Sequence, residues 1–186
     1  MRILVLSCCA PCSCAAIKHL VENGTDVTVL FYNPNIFPQE EYEKRREEQA
    51  RLCKTLGTGF AELPYEHEAW LEQVHGLEKE PERGKRCSVC FYMRLKQASA
   101  YARKHHFDCF ASVLGTSRYK DAQQVHRAAC QAEHEEGIPY VANAWRKGGL
   151  TELRQALIKE FNLYQQNYCG CEFSRRPHEK MAQTSD

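Results

Sequence analysis

The stretch Arg2-Ile3-Leu4-Val5-Leu6-Ser7-Cys8-Cys9-Ala10-Pro11-Cys12 (RILVLSCCAPC) decides how the rest of the chain is read. Its first six residues form a short, almost unbroken apolar run, the pattern of a buried strand. Cys8, Cys9 and Cys12 follow directly. In an open α/β sheet, ligands bind in the crevice outside the carboxyl ends of the strands. This turn therefore presents sulfur where function is expected. Two further cysteine groups, RCSVC (Cys87, Cys90) and YCGC (Cys169, Cys171), lie far downstream.

A chain of 186 residues with 43% hydrophobic content can bury one sizeable core. We expect one catalytic domain over 1–174 and a flexible tail over 175–186, where apolar residues are few. The net charge of +1 creates no global steering field, so any contact with RNA must come from a local basic patch. Eleven cysteines in C-x-x-C-like groups, in a chain with a real core, favour metal or redox chemistry in the cytoplasm over a disulfide scaffold. VLSC resembles a lipoprotein box, but its apolar run covers only residues 3–6, short of the roughly 7–15 of a signal core. No segment approaches the ~20 apolar residues that cross a bilayer, so no membrane association is expected.

Downstream, periodicity predicts a helix over 13–22 ending at Asn23-Gly24, a strand over 26–32, and an extended NPNIFP turn leading to a charged helix over 39–56. A strand over 60–65 and a short helix over 67–75 follow, then the polar loop GLEKEPERGKR. The helix from Cys87 to about His105 places Cys87 and Cys90 on one face of its first turn. A strand over 107–114, the turn GTSRYKD, a helix over 121–135, a short strand over 138–142 and a helix over 151–164 complete the alternation. This order predicts an α/β, Rossmann-like, mostly parallel sheet with helices on both faces.

Soft, charged thiolates ligate zinc and iron–sulfur clusters. One C-x-x-C pair is weak evidence of this; three separated groups are strong. A cubane cluster takes about four protein ligands, so seven grouped cysteines leave either idle thiols or a second metal. Adjacent side chains on an extended segment point to opposite sides, which favours Cys8 and Cys9 reaching two different metals. Four thiolates also make an ordinary structural zinc site, and CCAPC alone would suit thiol–disulfide exchange. Cys53, Cys109 and Cys130 fall inside predicted elements and read as small buried hydrophobes; Cys14 is ambiguous.

Several long motifs, CCAPC, YNPNIFPQEEYEKR, PERGKRCSVCFYMRL, GTSRYKD and LYQQNYCGCEFS, occur in an order that resembles the QueH-type epoxyqueuosine reductases. The resemblance implies an adenine-nucleotide-hydrolase-like fold. It also implies reduction of the epoxide on the modified wobble base of tRNA to a cyclopentene, with an external electron donor. It further implies a 4Fe-4S cluster beside a mononuclear metal, taken as iron, held by Cys8, Cys9, Cys87, Cys90, Cys169 and Cys171, with Cys12 a further ligand and Glu66 the candidate carboxylate. Gln165 departs from the pattern, since a basic residue is usual there.

Hydrolases of this fold cradle pyrophosphate on backbone amides of a glycine-rich loop. Ser7-Cys8-Cys9-Ala10-Pro11 has no glycine and a proline without an N–H, so no ATP requirement is expected. Tyr119, Lys120, His67 and Tyr168 are candidate proton donors, Tyr119 foremost. Arg83, Lys85, Arg86, Arg118, Lys120, Arg146 and Lys147 are candidate RNA contacts, and Tyr32 or Phe37 candidate stacking platforms. The competing functions are a zinc-stabilised RNA-binding module and a metal-free thiol–disulfide oxidoreductase.

Overall fold

A computed structural model describes residues 1–142 and 145–175 of the chain. Its centre is β1 (Arg2–Ser7), whose side chains from Ile3 to Leu6 are wholly buried. Burying each such side chain contributes roughly 1.5–3 kcal/mol. Their continuous apolar run follows from burial on both faces of the sheet. β2 (Asp26–Phe31), β3 (Gly59–Glu62) and β4 (Cys109–Ser112) join it in the order β3-β2-β1-β4, every pairing parallel.

The helices are α1 (Ala10–Glu22), α2 (Gln39–Thr55), α3 (His67–Gln73), α4 (Lys85–Lys104), α5 (Ala122–Glu136) and α6 (Leu150–Glu160). α1 packs with α2 and α6, while α4 packs with α5 and α3. Right-handed crossovers account for this division into one layer on each face. The chain moves outward from β1 to β3, then returns to place β4 on the other side of β1. The strand order therefore reverses between β1 and β4, and the crevice opens at their carboxyl ends. Among the described residues no helix is long and apolar enough to cross a membrane.

Several expected boundaries moved. α1 starts at Ala10, because the chain bends at Cys8 and Cys9 becomes the residue preceding the helix. Residues 138–142 form one parallel bridge, Tyr140 to Phe110, rather than a strand. α6 stops at Glu160, since left-handed Asn162 (φ 47°) lets the Leu163 N–H return to the Ile158 carbonyl. Beyond Arg175, the expected tail lies outside the described residues.

Candidate metal centre

The bend after β1 brings the sulfurs of Cys8, Cys9 and Cys12 within 4.8 Å of one another, all three buried. Cys8 and Cys9 Sγ are 3.9 Å apart. The expected divergence of these neighbours is not met, because alternation holds only along an extended strand and the chain has already turned. With metal–sulfur bonds of about 2.3 Å, the edge of a tetrahedral thiolate site is about 3.8 Å, so this pair can grip a single ion. The turn is braced from below. Ser7 and Ser13 hydroxyls both donate to Gln49 Oε1 (2.8 and 2.9 Å), and Asn33 Nδ2 donates to the Ser7 carbonyl (2.9 Å). Cys8 sits well below the usual thiol range, chiefly because Cys12 and Cys9 donate to it, whereas Cys9 is held well above it by its hydrogen bonds with Cys12 and Cys8 and by burial.

Cys87 and Cys90 enter at the start of α4, which opens at Gly84. A Cβ there would lie 2.9 Å from the Pro81 carbonyl, so the loop can close only over glycine. Arg86 locks that loop: its guanidinium donates to the carbonyls of Leu77, Glu78 and Glu80. The Arg83 N–H donates to Cys87 Sγ (3.3 Å). On the third side, Gly170 (φ 131°) carries the CGC turn against the loop after β2, where a Cβ would meet Ile36 Cγ1 at 3.0 Å. Phe37 N donates to the Gly170 carbonyl (2.9 Å), Arg45 Nη1 to that of Cys169 (3.1 Å), and Tyr168 Oη to that of Phe37 (2.6 Å).

Cys90 and Cys171 share one apolar cluster with Trp70 and Val74. Burial, together with repulsion from Cys169, pushes the Cys171 thiol up to about 11; burial likewise raises Cys87 and Cys90, and Cys169 adds to both. The second and third cysteine groups therefore feel one another's charge. Lys120 links them to the first: its Nζ lies 3.7 Å from Cys8 Sγ. Burial alone would lower its pKa, but the charges of Cys169, Cys8 and Cys12 outweigh burial and hold the ammonium above its ordinary value.

Lys120 (5% exposed) and Arg94 (0%) are the decisive charges. Arg94 donates to the Tyr32 carbonyl and to Asn33 Oδ1, and Lys120 to sulfur; neither meets a carboxylate among the described residues. A buried cation without a counter-charge costs several kcal/mol. Ionised thiolates must therefore supply that counter-charge, and metal-bound thiolates are ionised at neutral pH. The donor set and its surroundings thus fit an anionic metal–thiolate group.

Above Cys12 opens a cavity of about 530 Å³, whose lining includes Arg118, Tyr119, Arg146, Arg154 and Gln166 and, among the described residues, no carboxylate. Gln166 Nε2 reaches Cys9 Sγ (2.8 Å). Tyr119 stands at the crevice as expected, but its hydroxyl proton is engaged by the Asn167 carbonyl. His67 bonds Pro34 O and Glu172, and Tyr168 the Phe37 carbonyl, so neither faces the cavity with a free donor. Glu66 precedes α3 with its side chain exposed, outside the tight sulfur group.

Two expected RNA contacts are overturned by burial. Arg86 (2% exposed) clamps backbone carbonyls, and Lys120 faces sulfur. Tyr32 is buried away from this cavity, which removes it as a stacking platform, whereas Phe37 is 38% exposed. Arg83, Lys85, Arg118, Arg146 and Lys147 are exposed. Cys53 and Cys109 are buried as expected; Cys130 is only half-buried, because its face of α5 looks outward beside His126. Cys14 is buried, which pushes its thiol up to about 11. Sequence reasoning missed Arg94, although a charged residue four places after Cys90 on the apolar stripe of a helix was the available signal.

The family model "Epoxyqueuosine reductase QueH" matches residues 3–177. The chain is 42% identical over 183 residues to the epoxyqueuosine reductase QueH of Haemophilus influenzae, covering 96% of this chain and 74% of that protein. It is 40% identical to the namesake in Acinetobacter baylyi (94% and 81% covered) and 33% identical to that in Thermotoga maritima (92% and 89%). Among solved structures, a predicted subunit of tRNA methyltransferase from Methanocaldococcus jannaschii superposes with a TM-score of 0.58 at 14% identity, over 83% of this chain and 74% of that one. The U34-tRNA thiolase NcsA from Methanococcus maripaludis, with its [4Fe-4S] cluster, gives 0.57 at 12%, over 95% and 62%. At these identities the likeness concerns the fold alone, a parallel α/β sheet covered by helices, of the Rossmann-like kind predicted from the strand–helix alternation. The family match begins inside the buried first strand and runs past the CGC turn, and over that span the chain belongs to the epoxyqueuosine reductase QueH family.

Proposed function

We propose that this chain reduces the epoxide of epoxyqueuosine at the tRNA wobble position to the cyclopentene of queuosine, with residues 1–174 acting as one catalytic domain. The net change is addition of two electrons and two protons and departure of the oxygen as water. An external donor provides the electrons. Cys8, Cys9, Cys87, Cys90, Cys169 and Cys171, with Cys12 and Glu66 as further ligands, would hold a 4Fe-4S cluster and an adjacent iron. When bound, these supply electrons singly and a Lewis acid for the C–O bond.

The chain's own residues bind and orient. Arg118, Arg146 and Arg154 at the cavity offer donors to the ribose–phosphate backbone. Arg83, Lys85 and Lys147 extend the basic surface around it, and Phe37 offers a stacking face. Gln166 and Tyr119 wall the cavity beside Cys9, narrowing the access of water to the sulfur face. Lys120 and Arg94 hold positive charge against the thiolates and so favour an extra electron there.

The observation that carries this reading is the pair of buried cations, Arg94 and Lys120, set among the cysteine groups beside a cavity that the described residues line without a carboxylate. The test is single-turnover reduction of epoxyqueuosine-tRNA by anaerobically reconstituted protein, with iron and sulfide quantified. We expect queuosine to form in proportion to iron–sulfur content. Protein that binds only zinc, or turnover that survives removal of iron, would overturn the reading.

A further inference from the structure

A second cavity, of about 420 Å³, adjoins the one above Cys12 and shares Thr116, Trp145 and Arg146 with it. Its remaining walls are mostly apolar, formed by Ala122, Val125 and Tyr140, with His126 and Lys147 also in the lining and no carboxylate there among the described residues. Trp145 is buried and its indole N–H is already bonded to the Ser112 carbonyl (2.9 Å). The ring therefore has only its apolar surface to offer a ligand, which suits stacking and not hydrogen-bonded readout.

Arg146 stands between the two cavities. Its Nε and Nη2 donate to the carbonyls of Thr116 (3.2 Å) and Ser117 (2.8 Å), which fixes the guanidinium while leaving its Nη1 hydrogens for another acceptor. An aromatic-walled slot with a basic rim, separated by one anchored arginine from the cavity over the sulfurs, matches two consecutive nucleotides joined by a phosphate.

We propose that this second cavity receives the base of a nucleotide adjacent to the wobble position, stacked against Trp145, with Arg146 on the phosphate that joins the two and Lys147 at the outer edge. The proposal rests on the preceding reading, in which the modified nucleotide enters the cavity over Cys12. Binding a neighbour in this way requires the anticodon loop to splay, so the enzyme would select a loop and not a duplex.

The test uses the reconstituted full chain and an RNA hairpin of the anticodon arm carrying epoxyqueuosine, with 2-aminopurine placed in turn on each side of the modified nucleotide. One of the two positions should change its fluorescence on binding. Ala122→Trp, which fills the slot, should abolish that change and weaken hairpin binding roughly ten-fold while iron content stays the same. If the hairpin is bound and reduced but neither flanking position responds, the inference is wrong. If the wild-type protein neither binds nor reduces the hairpin, the functional reading itself fails and takes this inference with it. Should Ala122→Trp lose its iron, the wild-type fluorescence decides alone.

Discussion

The two sides of the proposed metal centre are built differently. The cysteines after β1 sit on a turn clamped between a fully buried strand and a helix, with Gln49 and Asn33 tying it from beneath. The opposing cysteines ride on the start of α4 and on the CGC turn, where Cys87 and Cys169 are partly exposed and the supporting contacts come from loop backbone. One side is shaped by the sheet before any metal arrives. The other is held by Arg86 and Arg45, whose guanidinium groups donate to loop carbonyls. This asymmetry, a rigid floor and a wall that loops complete, would suit the proposed centre, which has to admit an RNA substrate.

The largest expected effect tests the floor against the wall. Cys8→Ser should abolish iron binding and turnover, whereas Cys169→Ser should retain part of the iron while losing activity, as metal analysis and single-turnover assays would register. Equal iron loss in both would erase the distinction. Next, Lys120→Gln removes the cation shared by the two sides. We expect a loss of about 10–100-fold in metal affinity or activity and a lower reduction potential, with Lys120→Arg recovering much of both. An unchanged potential would show that Lys120 does not compensate the thiolates.

The wall alone is probed by Arg86→Met. Losing three charge-assisted bonds to carbonyls should cost about 2–4 kcal/mol of stability in denaturant titrations, with little change in tRNA affinity once protein is folded. The smallest effect belongs to the exposed neighbour. Arg83→Glu should weaken tRNA binding across sequences and lower the salt slope of affinity by about 1, with stability unaltered. If Arg86→Met and Arg83→Glu behave alike, burial has not separated their roles.

Residues 2–7 were legible because every local signal agreed: a doubly covered strand must be apolar throughout, and its carboxyl end must meet the crevice. Legibility failed where a residue's direction mattered. PERGKR and GTSRYKD read as basic surface, yet Arg86 and Lys120 turn inward while Arg83 and Arg118 turn out. Composition cannot separate them, because a turn leaves each side chain's direction to the backbone that follows. The cavity above Cys12 was not legible either, since its walls come from residues more than a hundred positions apart, such as Cys12 and Gln166.

By itself, the sequence determined that three cysteine groups exist, that one follows a buried strand, and that the chain carries the motifs of its family. Only the tertiary structure decided which sulfurs come within reach of one ion, which cations lie buried beside them, and which residues line the cavity above. The physical reason is that apolar periodicity is a local property, carried by consecutive residues. A metal–thiolate site balanced by buried charge is a long-range property: it exists only once the crossover from β3 back to β4 has brought the GTSRYKD turn beside the first strand's end.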